Sequence, residues 1–578
     1  MNPPSTYDKR PVVKISASSK DCAVGWPGVL ERLCGCREGT LCVECYPGAF
    51  VEEIEHAIAS GLRSSQVFRT SECMKTPEEL EAVLAPHLGD DPVFGRMNRI
   101  EVADIFDPMK FAAVRERILK SQGSILIMGT GASLLAPEAD VLVYADMARW
   151  EIQTRQRNNK IPNLGALNLK ERAGLKYKRA FFVDWRAGDR LKKRLLPEID
   201  FLLDTNDCGN PKLISGDLFR RSLEATARRP FRVVPFFDPG PWGGEWMRRT
   251  FDLPEDAPNY AWCFDCVLEE NSLLLGFGDV QVEIPSIDLV ISHPRELLGE
   301  AVHGRFGTEF PIRFDMLDTI HGGNLSLQVH PLTEYIQDKF GMHYTQDESY
   351  YLLDAGEEAA VYLGLKEDVN PAEMLEALGR AQAGGPPFCA DQFVNRWPVK
   401  KHDHLLIPAG TIHCSGKDCM VLEISATPYI FTFKLWDWDR LGLDGEPRPI
   451  HIEHGGENIQ WYRRTDWVRR NLLNREEMVA RNEEWCEERT GLHEREFIET
   501  RRHWFTGKVN HDTRGGVNVL NLVEGPAIVV ESLDGVFEPF VVHYAETFIV
   551  PAAVGRYTIR PAKEGRCATI KAYVRTNP

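Results

Sequence analysis

The first 230 residues alternate short apolar runs with amphipathic stretches, which is typical of strands followed by helices. TLCVECYPG leads into AFVEEIEHAIASGL, whose apolar residues recur at helical spacing. The same pattern of an apolar run and an amphipathic stretch recurs in GSILIMGTGASLL, in ADVLVYADMARWEIQTRQR and near the strand-like RAFFVDW. Apolar runs that end in Gly or Asp and precede a helix predict a parallel sheet covered on both faces. We therefore predict an α/β domain over residues 1–230.

Sheets of this kind bind ligands at the carboxyl ends of their strands, where Asp146, Asp184 and the Gly129/Gly131 turn are expected. A phosphate-binding P-loop requires GxxxxGK[ST], so that backbone amides and a lysine surround the phosphates. The turn MGTGASLL has glycines and a serine but no lysine. The domain thus resembles a nucleoside-kinase-type P-loop fold without an intact phosphate-binding signature. That resemblance implies a structural or regulatory role rather than kinase activity.

The pattern changes around residues 225–245, where TARRPFRVVPFFDPGPWGGEWM is broken by Arg, Pro and Gly and predicts a domain boundary. Short strands separated by turn signals follow and predict an antiparallel β-rich domain over 231–470. NREEMVARNEEWCEERTG then predicts a helical segment within 471–510. Strand-like runs resume in AIVVES, PFVVHYAETFIVP and ATIKAYVR, which predict a second, small β-barrel over 511–578.

Composition and charge narrow the classes of partner. The chain has 578 residues, 43% of them hydrophobic and 26% charged, as expected of a multidomain globular protein. Its net charge of -17 argues against nucleic acid or an anionic membrane surface as main partner, although a local basic pocket could hold a phosphorylated substrate. No run of about 18 apolar residues occurs. The start MNPPSTYDKRPVVK lacks the apolar core of a signal peptide, so we expect a cytoplasmic protein.

The fourteen cysteines are expected to be reduced thiols in that compartment. Cys34, Cys36, Cys42 and Cys45 form a CxC…CxxC cluster that could hold zinc or an iron–sulfur group. Cys42 and Cys45 are three apart in a predicted strand, however, so their side chains would leave opposite faces. Buried thiols are therefore favoured, and a second metal site is the alternative.

A set of potential metal ligands lies in the predicted β-rich domain. In LSLQVHP, Gln328 and His330 are two apart on a probable strand, so both side chains leave the same face. Glu348 opens the next strand, ESYYLLDA, and a hairpin can return it to that face. HLLIPAGTIH places His413 directly after a Pro-Ala-Gly turn, with the P-x-G-x-x-H spacing of the second cupin motif.

Two imidazoles, one carboxylate and one amide oxygen make a mixed nitrogen and oxygen site with room for water. Each residue alone is weak evidence, since a lone His330 is more often a hydrogen-bonded core residue. Together, on paired strands of a predicted barrel, they predict one bound divalent ion. Zinc fits this donor set best, and manganese, iron or cobalt remain alternatives.

The same segments resemble type I mannose-6-phosphate isomerase, a cupin family. FPIRFDMLDTIHGGNLSLQVHP is similar to the strand pair of its QVHP ligand motif, ESYYLLDAGEEAAVYLGL to the segment with the glutamate ligand, and IPAGTIHCSG to the second-histidine motif. LWDWDRLGLDGEPRPIHIEH, WGGEWM and HPRELLG are similar to flanking segments. The resemblance covers about 340 residues and implies a jelly-roll domain that isomerises a sugar phosphate, here mannose 6-phosphate to fructose 6-phosphate.

The resemblance also implies roles for residues around the metal ligands. Glu423 stands where the family has a glutamate proposed for proton transfer, and Lys434 stands near a family arginine. Arg313, Ser326 and Arg440 are assigned to substrate binding. For Glu423, a carboxylate hydrogen-bonded at a barrel strand end is an equally good interpretation, and Arg440 could be a surface residue in a turn.

Three positions depart from the family pattern. Asp315 and Gln346 replace lysines, and Lys434 replaces an arginine, so cations suited to a phosphate are lost or weakened. The substrate could therefore be a different or unphosphorylated sugar. A non-catalytic, metal-stabilised sugar-binding or regulatory cupin is a further alternative. A bifunctional kinase–isomerase is disfavoured because the P-loop lysine is missing.

Overall fold

The structure is a computed structural model that describes residues 5–36, 39–428, 430–491, 493 and 496–576. The chain divides into two compact units. The α/β unit consists of Val12–Thr226 and Glu269–His293, and the β-rich unit consists of Met1–Pro11, Ala227–Leu268 and Pro294–Pro578.

The predicted boundary at residue 230 lies close to the division at Thr226, but a single cut does not describe the chain. The segment Glu269–His293 belongs to the α/β unit, because its strand Ser272–Phe277 pairs in parallel with Val12–Lys14. A pairing between segments so distant in sequence has no local signature, so the hydrophobic pattern could not reveal it.

A twisted central sheet organises the α/β unit. In spatial order its strands are Ala23–Val24, Lys212–Ser215, Phe201–Asp204, Val141–Asp146, Thr40–Cys45, Ile125–Gly129 and Gln66–Arg69. Thr40–Cys45 is parallel to both of its neighbours, which agrees with the predicted parallel sheet, whereas the strands at one edge pair antiparallel. A smaller sheet contains Val12–Lys14, Ser272–Phe277 and Val280–Pro285.

Helices follow the parallel strands. In the α/β unit they are Gly25–Leu33, Val51–Leu62, Pro77–Leu88, Pro108–Lys120, Ala132–Leu135, Arg149–Arg157, Ala173–Arg179, Trp185–Leu195, Gly216–Thr226 and Ile287–Ser292. The strand-like interpretation of RAFFVDW is wrong, since Ala180–Asp184 is a π-helical turn. Its residues are all buried, and a short apolar run buried on every side fits a helix as well as a strand.

Two facing sheets form the metal-bearing part of the β-rich unit. The carboxylate sheet has, in spatial order, His404–Ile407, Glu348–Ala355, Cys419–Ala426, Ile312–Asp318, Trp262–Cys266 and Phe236–Asp238. The histidine sheet has Val394–Pro398, Ala360–Leu365, His413–Ser415, Leu327–Val329 and Phe433–Trp436. All assigned pairings in both sheets are antiparallel, as the sequence predicts.

Short helices connect these strands. They are Trp246–Phe251, Pro294–Leu298, Glu300–Phe306, Thr333–Phe340, Pro371–Gln382, Ala390–Phe393, Ile452–Asn458 and Thr465–Asn471. Across the residues that the structure describes, no helix is both long and apolar enough to cross a membrane.

A second pair of sheets, here called the C-terminal sandwich, occupies residues 477–574. Its long sheet has Glu477–Arg481, Trp485–Gly491, Ile498–Phe505, Cys567–Val574, Asn518–Glu524 and Thr547–Val550. Its short sheet has Val509–Asp512, Arg556–Pro561, Ala527–Ser532 and Phe540–His543. Phe505, Leu520 and Phe548 of the long sheet share one core with Ile528 and Tyr557 of the short sheet.

The helical prediction for residues 471–510 is therefore wrong, and the second β region begins well before residue 511. The charged residues that suggested an exposed helix instead pair across strands. Arg489 pairs with Glu477, and Arg502 pairs with Glu488 at 2.8 Å. Opposite charges on neighbouring strands stabilise a sheet in the same way that charges one turn apart stabilise a helix, so the charge pattern did not discriminate between them.

Candidate metal centre

The structure brings the predicted ligands together from both facing sheets. Gln328 lies directly opposite His413 in the histidine sheet, and His330 follows one residue after the strand Leu327–Val329. Glu348 is the first residue of its strand in the carboxylate sheet. One ligand atom from each of His330, Glu348 and His413 lies within 4.8 Å of the others, and all three residues are buried.

The Pro-Ala-Gly turn fixes the position of His413. Gly410 has a φ of +83°, and a Cβ atom there would lie 2.8 Å from the Asn458 carbonyl oxygen, so the position favours glycine. The Gly410 amide donates to the His330 carbonyl at 2.9 Å, which ties the turn to the neighbouring ligand. Arg463 donates to the carbonyl oxygens of Pro408 and Ala409, both at 2.8 Å.

The hydrogen bonds of both imidazoles determine which ring nitrogen faces Glu348. His413 Nδ1 lies 2.8 Å from the Thr411 carbonyl oxygen, and His330 Nδ1 lies 3.3 Å from that of Phe431. A carbonyl only accepts, so each Nδ1 carries a proton and, in the neutral ring, each Nε2 presents a lone pair. These Nε2 atoms lie 3.1 Å (His330) and 2.8 Å (His413) from the Glu348 carboxylate oxygens.

Imidazole nitrogens held this close to a buried carboxylate require positive charge, either a proton on each ring or a metal ion between them. Burial raises the pKa of Glu348, but the positive charge of His330 and His413, when their rings are protonated, outweighs burial and holds the pKa well below its usual range. The Gln328 amide nitrogen lies 3.2 Å from His413 Nε2, and the same amide turned over presents its oxygen. These residues therefore fit a divalent ion such as zinc, with backbone carbonyls orienting the imidazoles.

A patch of polar side chains on the carboxylate sheet adjoins the ligands. Arg313, Ser425 and Glu348 are in register across three strands. One step along the same face, Asp315, Glu423 and Tyr350 form a second row. Residues in register, and those two apart along a strand, share a face of the sheet. Glu423 therefore lies on the ligand-bearing face, as the resemblance implies.

Glu423 is hydrogen-bonded to its neighbours, which is expected of a structural carboxylate and of a proton-transfer group alike. Its Oε1 accepts from Ser425 Oγ at 2.9 Å and from Gln346 Nε2 at 3.2 Å, and Arg313 Nη1 lies 3.8 Å away. Burial, reinforced by the nearby Glu348 carboxylate, raises the pKa of Glu423 well above its usual value. A buried carboxyl that shares its surroundings with a second carboxylate is a typical proton-transfer group.

Arg313 is buried and forms an ion pair with Asp315. Burial raises the pKa of Asp315 to about 6, although Arg313 acts to lower it. Asp315, which stands where the family has a lysine, thus pairs with Arg313, the cation that was predicted to bind substrate. The ion pair offsets much of the positive charge that Arg313 would offer a phosphate.

The remaining predicted residues differ in their surroundings. Lys434 lies opposite Gln328 in register, and burial lowers its pKa to about 8. Ser326 is buried two residues before Gln328. Arg440 lies in the loop after the last strand of the histidine sheet, where it donates to the Asn324 carbonyl at 2.5 Å and to Asp437 at 2.6 Å. Substrate contacts for these residues stay predictions.

Two residues at the centre were not assigned roles from the sequence. Gln346 Nε2 donates to Glu348 at 2.9 Å and also to Glu423, so one amide connects both carboxyl groups. Tyr350 packs against the His413 ring with centroids 5.8 Å apart. The period of two along QDESYY carried the signal, because Gln346, Glu348 and Tyr350 occupy alternate positions.

The α/β unit has a different buried carboxylate at the turn after Ile125–Gly129. Glu44 accepts from the Gly131 amide at 2.5 Å, and from the Ser133 amide and hydroxyl at 2.9 Å and 2.7 Å. Burial raises the pKa of Glu44 to about 7, although these hydrogen bonds act to lower it. The side chain thus occupies the backbone amides that a P-loop would offer to a phosphate.

The other residues expected at this sheet edge also form ion pairs or hydrogen bonds within the protein. Asp146 ends its strand and is bound by Lys192 Nζ at 2.8 Å, and the same ammonium lies 2.9 Å from Asp288. Asp184 does not end a strand; it lies in the π-helical turn and accepts from Asn163 at 2.7 Å. The expectation that Asp184 lies at the carboxyl end of a strand is therefore wrong, because the residue belongs to a helical turn.

The cysteines of the CxC…CxxC cluster do not share one environment. Cys42 and Cys45 are buried in the strand Thr40–Cys45, and Cys34 is half-buried. Among the described side chains these three contribute to no group of metal ligands. The side chain of Cys36 lies outside what the structure describes.

Comparisons with known proteins find a family model and several relatives, each matching part of the chain. Residues 25–228 match a family model described as a domain of unknown function (DUF8485). Mannose-6-phosphate isomerase of Streptococcus mutans is 29% identical over 214 residues, which cover 37% of this chain and 62% of that enzyme. Mannose-6-phosphate isomerase ManA of Bacillus subtilis is 25% identical over 237 residues, covering 40% and 68%.

The chain thus spans about three fifths of the length of the Streptococcus mutans relative. Among solved structures, the mannose 6-phosphate isomerase of Bacillus subtilis superposes with a TM-score of 0.49 at 20% identity, covering 60% of this chain and 100% of that one. A mannose 6-phosphate isomerase described as zinc-bound gives a TM-score of 0.46 at 15% identity, covering 60% and 100%. Part of this chain is therefore similar in sequence to type I mannose-6-phosphate isomerases.

Proposed function

We propose that the protein is a metal-dependent aldose–ketose isomerase that interconverts mannose 6-phosphate and fructose 6-phosphate. One observation carries the proposal: the Nε2 atoms of His330 and His413 lie 3.1 Å and 2.8 Å from the Glu348 carboxylate oxygens, with the Glu423 carboxyl on the same face of the sheet. The sequence similarity to named mannose-6-phosphate isomerases supports it. The reaction and substrate of this chain are part of the proposal.

The reaction moves one proton between two neighbouring carbons. Glu423 takes the proton from C2 of the aldose and returns it to C1, while a second proton passes between the adjacent oxygens. Gln346 and Ser425 orient the Glu423 carboxyl through hydrogen bonds. The Lys434 ammonium, opposite Gln328, stabilises the negative charge that develops on the enediolate oxygens.

The metal would be held by Gln328, His330, Glu348 and His413, and when bound it supplies positive charge that polarises the sugar oxygens. The facing sheets bury the donor atoms, which keeps water away from the carbanionic carbon and strengthens every charge interaction in the pocket.

An isomerase of an unphosphorylated sugar is the second candidate, and a specific observation favours it. Asp315 neutralises Arg313, the buried cation that was predicted to bind the phosphate. Because Asp315 offsets this charge, Arg313 contributes less to the binding of a phosphorylated sugar. The binding of a neutral sugar does not depend on that charge.

A coupled assay with metal-loaded protein distinguishes the candidates. Turnover of mannose 6-phosphate at least tenfold more efficient than that of mannose supports the first proposal, and the reverse preference supports the second. A protein that carries about one divalent ion per chain but turns over neither sugar would contradict both, and would favour a non-catalytic sugar-binding role.

A further inference from the structure

A second cleft, outside the metal centre, opens in the C-terminal sandwich. Its volume is about 860 Å³, which is within the size range of small-molecule binding sites. Both sheets contribute to it: Arg501 and Lys571 come from the long sheet, and His511 and Arg556 from the short sheet. Neither Glu348 nor any other residue proposed for the metal centre lines it.

The register of the long sheet explains why charged side chains reach this cleft. Arg501 lies opposite Lys571, which in turn lies opposite Leu520. Residues in register share a face, and Leu520 belongs to the core between the two sheets. Arg501 and Lys571 therefore project from the inner face of the sandwich, where apolar residues are the rule.

Two cations of the cleft are left without a carboxylate. Arg501 is paired with Glu499, Arg575 lies 3.5 Å from Glu499, and Arg556 lies 3.3 Å from Asp534. By contrast, Lys571 and Arg514 have no carboxylate within 4.0 Å and no side-chain hydrogen bond among the residues that the structure describes. Burial lowers the pKa of Lys571 to about 8. Five Lys or Arg residues line the cleft against three carboxylates, Glu487, Glu499 and Asp512, so cations outnumber acids there.

Two histidines add buried hydrogen-bonding groups at the same place. The rings of His503 and His511 come from different sheets and have centroids 4.6 Å apart. Both line the cleft, and His511 is only 5% exposed. Neither ring nitrogen of His511 has a hydrogen-bond partner within the described part of the chain. A neutral imidazole carries one N–H, so His511 offers a buried donor that the protein itself does not use.

We propose that this cleft binds a phosphate-bearing small molecule, with Lys571 and Arg514 neutralising the phosphate and His511 donating to it. A phosphate has about two negative charges and three acceptor oxygens, which matches two unpaired cations and an unused donor better than a single carboxylate does. Glu487 and Asn510, which also line the cleft, supply acceptors for the hydroxyls of an attached sugar.

The test is calorimetric titration of the full-length His413→Ala protein with mannose 6-phosphate, inorganic phosphate and mannose in turn. Removing the metal ligand separates this cleft from the centre of the proposed isomerase. We expect saturable binding of mannose 6-phosphate, weakened at least tenfold by Lys571→Gln combined with Arg514→Gln. The exposed Lys563→Gln is the matched control and should leave binding unchanged. Wild-type protein treated with a chelator provides the same measurement if His413→Ala fails to fold.

The three probes identify the source of the phosphate. Binding of mannose 6-phosphate at least tenfold tighter than inorganic phosphate supports a sugar phosphate, and equal binding of the two supports free phosphate. Binding of mannose alone, absence of saturable binding to all three, or binding that Lys571→Gln with Arg514→Gln leaves intact would overturn the proposal. Loss of isomerase activity would not, because the titration does not depend on turnover.

Discussion

Glu44 of the α/β unit and Glu348 of the β-rich unit are both buried carboxyl groups at strand ends, yet their surroundings differ in kind. Glu44 faces donors: two backbone amides and one hydroxyl satisfy its oxygens. Glu348 faces two imidazole nitrogens, together with the Gln346 amide. The first arrangement is complete within the protein, and the second requires a cation.

The difference shows how satisfaction of hydrogen bonds separates a structural site from a binding site. A buried carboxylate with its own donors gains nothing from a ligand, since a ligand would have to displace them. A buried carboxylate beside two imidazole nitrogens is stabilised only when protons or a metal ion supply positive charge. Glu44 therefore explains why the α/β unit is not expected to hold a phosphate, and Glu348 explains why the β-rich unit is expected to hold a metal.

Removing one of the two imidazoles that face Glu348 should have the largest effect. His330→Ala and His413→Ala each delete one nitrogen ligand, so we expect metal content to fall from about one divalent ion per chain to less than a tenth, and turnover to fall at least 10³-fold. Elemental analysis of the purified protein and the coupled assay measure the two effects.

His402→Ala is the matched control, because His402 is a half-buried histidine that contacts Tyr351 and Glu524 rather than the ligands. It should retain full metal content. If both His330→Ala and His413→Ala retain it as well, the assigned ligands are wrong.

Substitution of Glu423 tests a carboxyl that lies beside the metal ligands without being one. Glu423→Gln keeps the hydrogen-bonding shape but cannot take up a proton, so kcat should fall by about 10² to 10⁴ while metal content is unchanged. Glu358→Gln, an exposed glutamate in a nearby turn, should change neither. A Glu423→Gln enzyme with wild-type kcat would assign proton transfer to another group.

Substitution of Glu44 should affect stability and not metal binding. Glu44→Ala leaves the Gly131 amide and both Ser133 donors buried and unpaired, which we expect to cost about 3 kcal/mol. Hydrogen exchange of the strand Thr40–Cys45, followed by mass spectrometry, should then be about 100-fold faster. Ser133→Ala removes a single donor and should cost about 1 kcal/mol. Unchanged exchange in Glu44→Ala would mean that water replaces the carboxylate at no cost.

The smallest effect is expected at the Arg313–Asp315 ion pair. Asp315→Asn releases Arg313 to a substrate phosphate, so the KM for mannose 6-phosphate should fall about tenfold, which corresponds to about 1.4 kcal/mol. The KM for mannose should stay within twofold. A rise in the KM for mannose 6-phosphate would show that Arg313 does not contact the phosphate.

The convergence of the predicted ligands could be anticipated from sequence because a local pattern places each of them. Gln328 and His330 share a face through the strand period of two, and the Pro-Ala-Gly turn sets the position of His413. Glu44 was missed although a signal was present: it is a lone acidic residue within the apolar run TLCVEC, where burial demands a partner. That partner lies in a turn more than eighty residues later, and the strand pattern cannot identify it.

Other failures arose where one pattern fits two structures. The charges around Glu477, Glu488 and Arg502 fit an exposed helix and a sheet with cross-strand pairs equally well. The apolar run Ala180–Asp184 fits a buried strand and a buried helix equally well. Tertiary context decides such cases, and short segments do not contain it.

The return of Glu269–His293 to the α/β unit restricts how the protein can be divided. A truncation at residue 230, at the boundary that composition suggests, would deprive the sheet strand Val12–Lys14 of its partner Ser272–Phe277. It would also remove Asp288 and leave the buried Lys192 with Asp146 alone. Residues 1–230 therefore lack part of the α/β unit, and a chain divided at that point would yield two incomplete proteins.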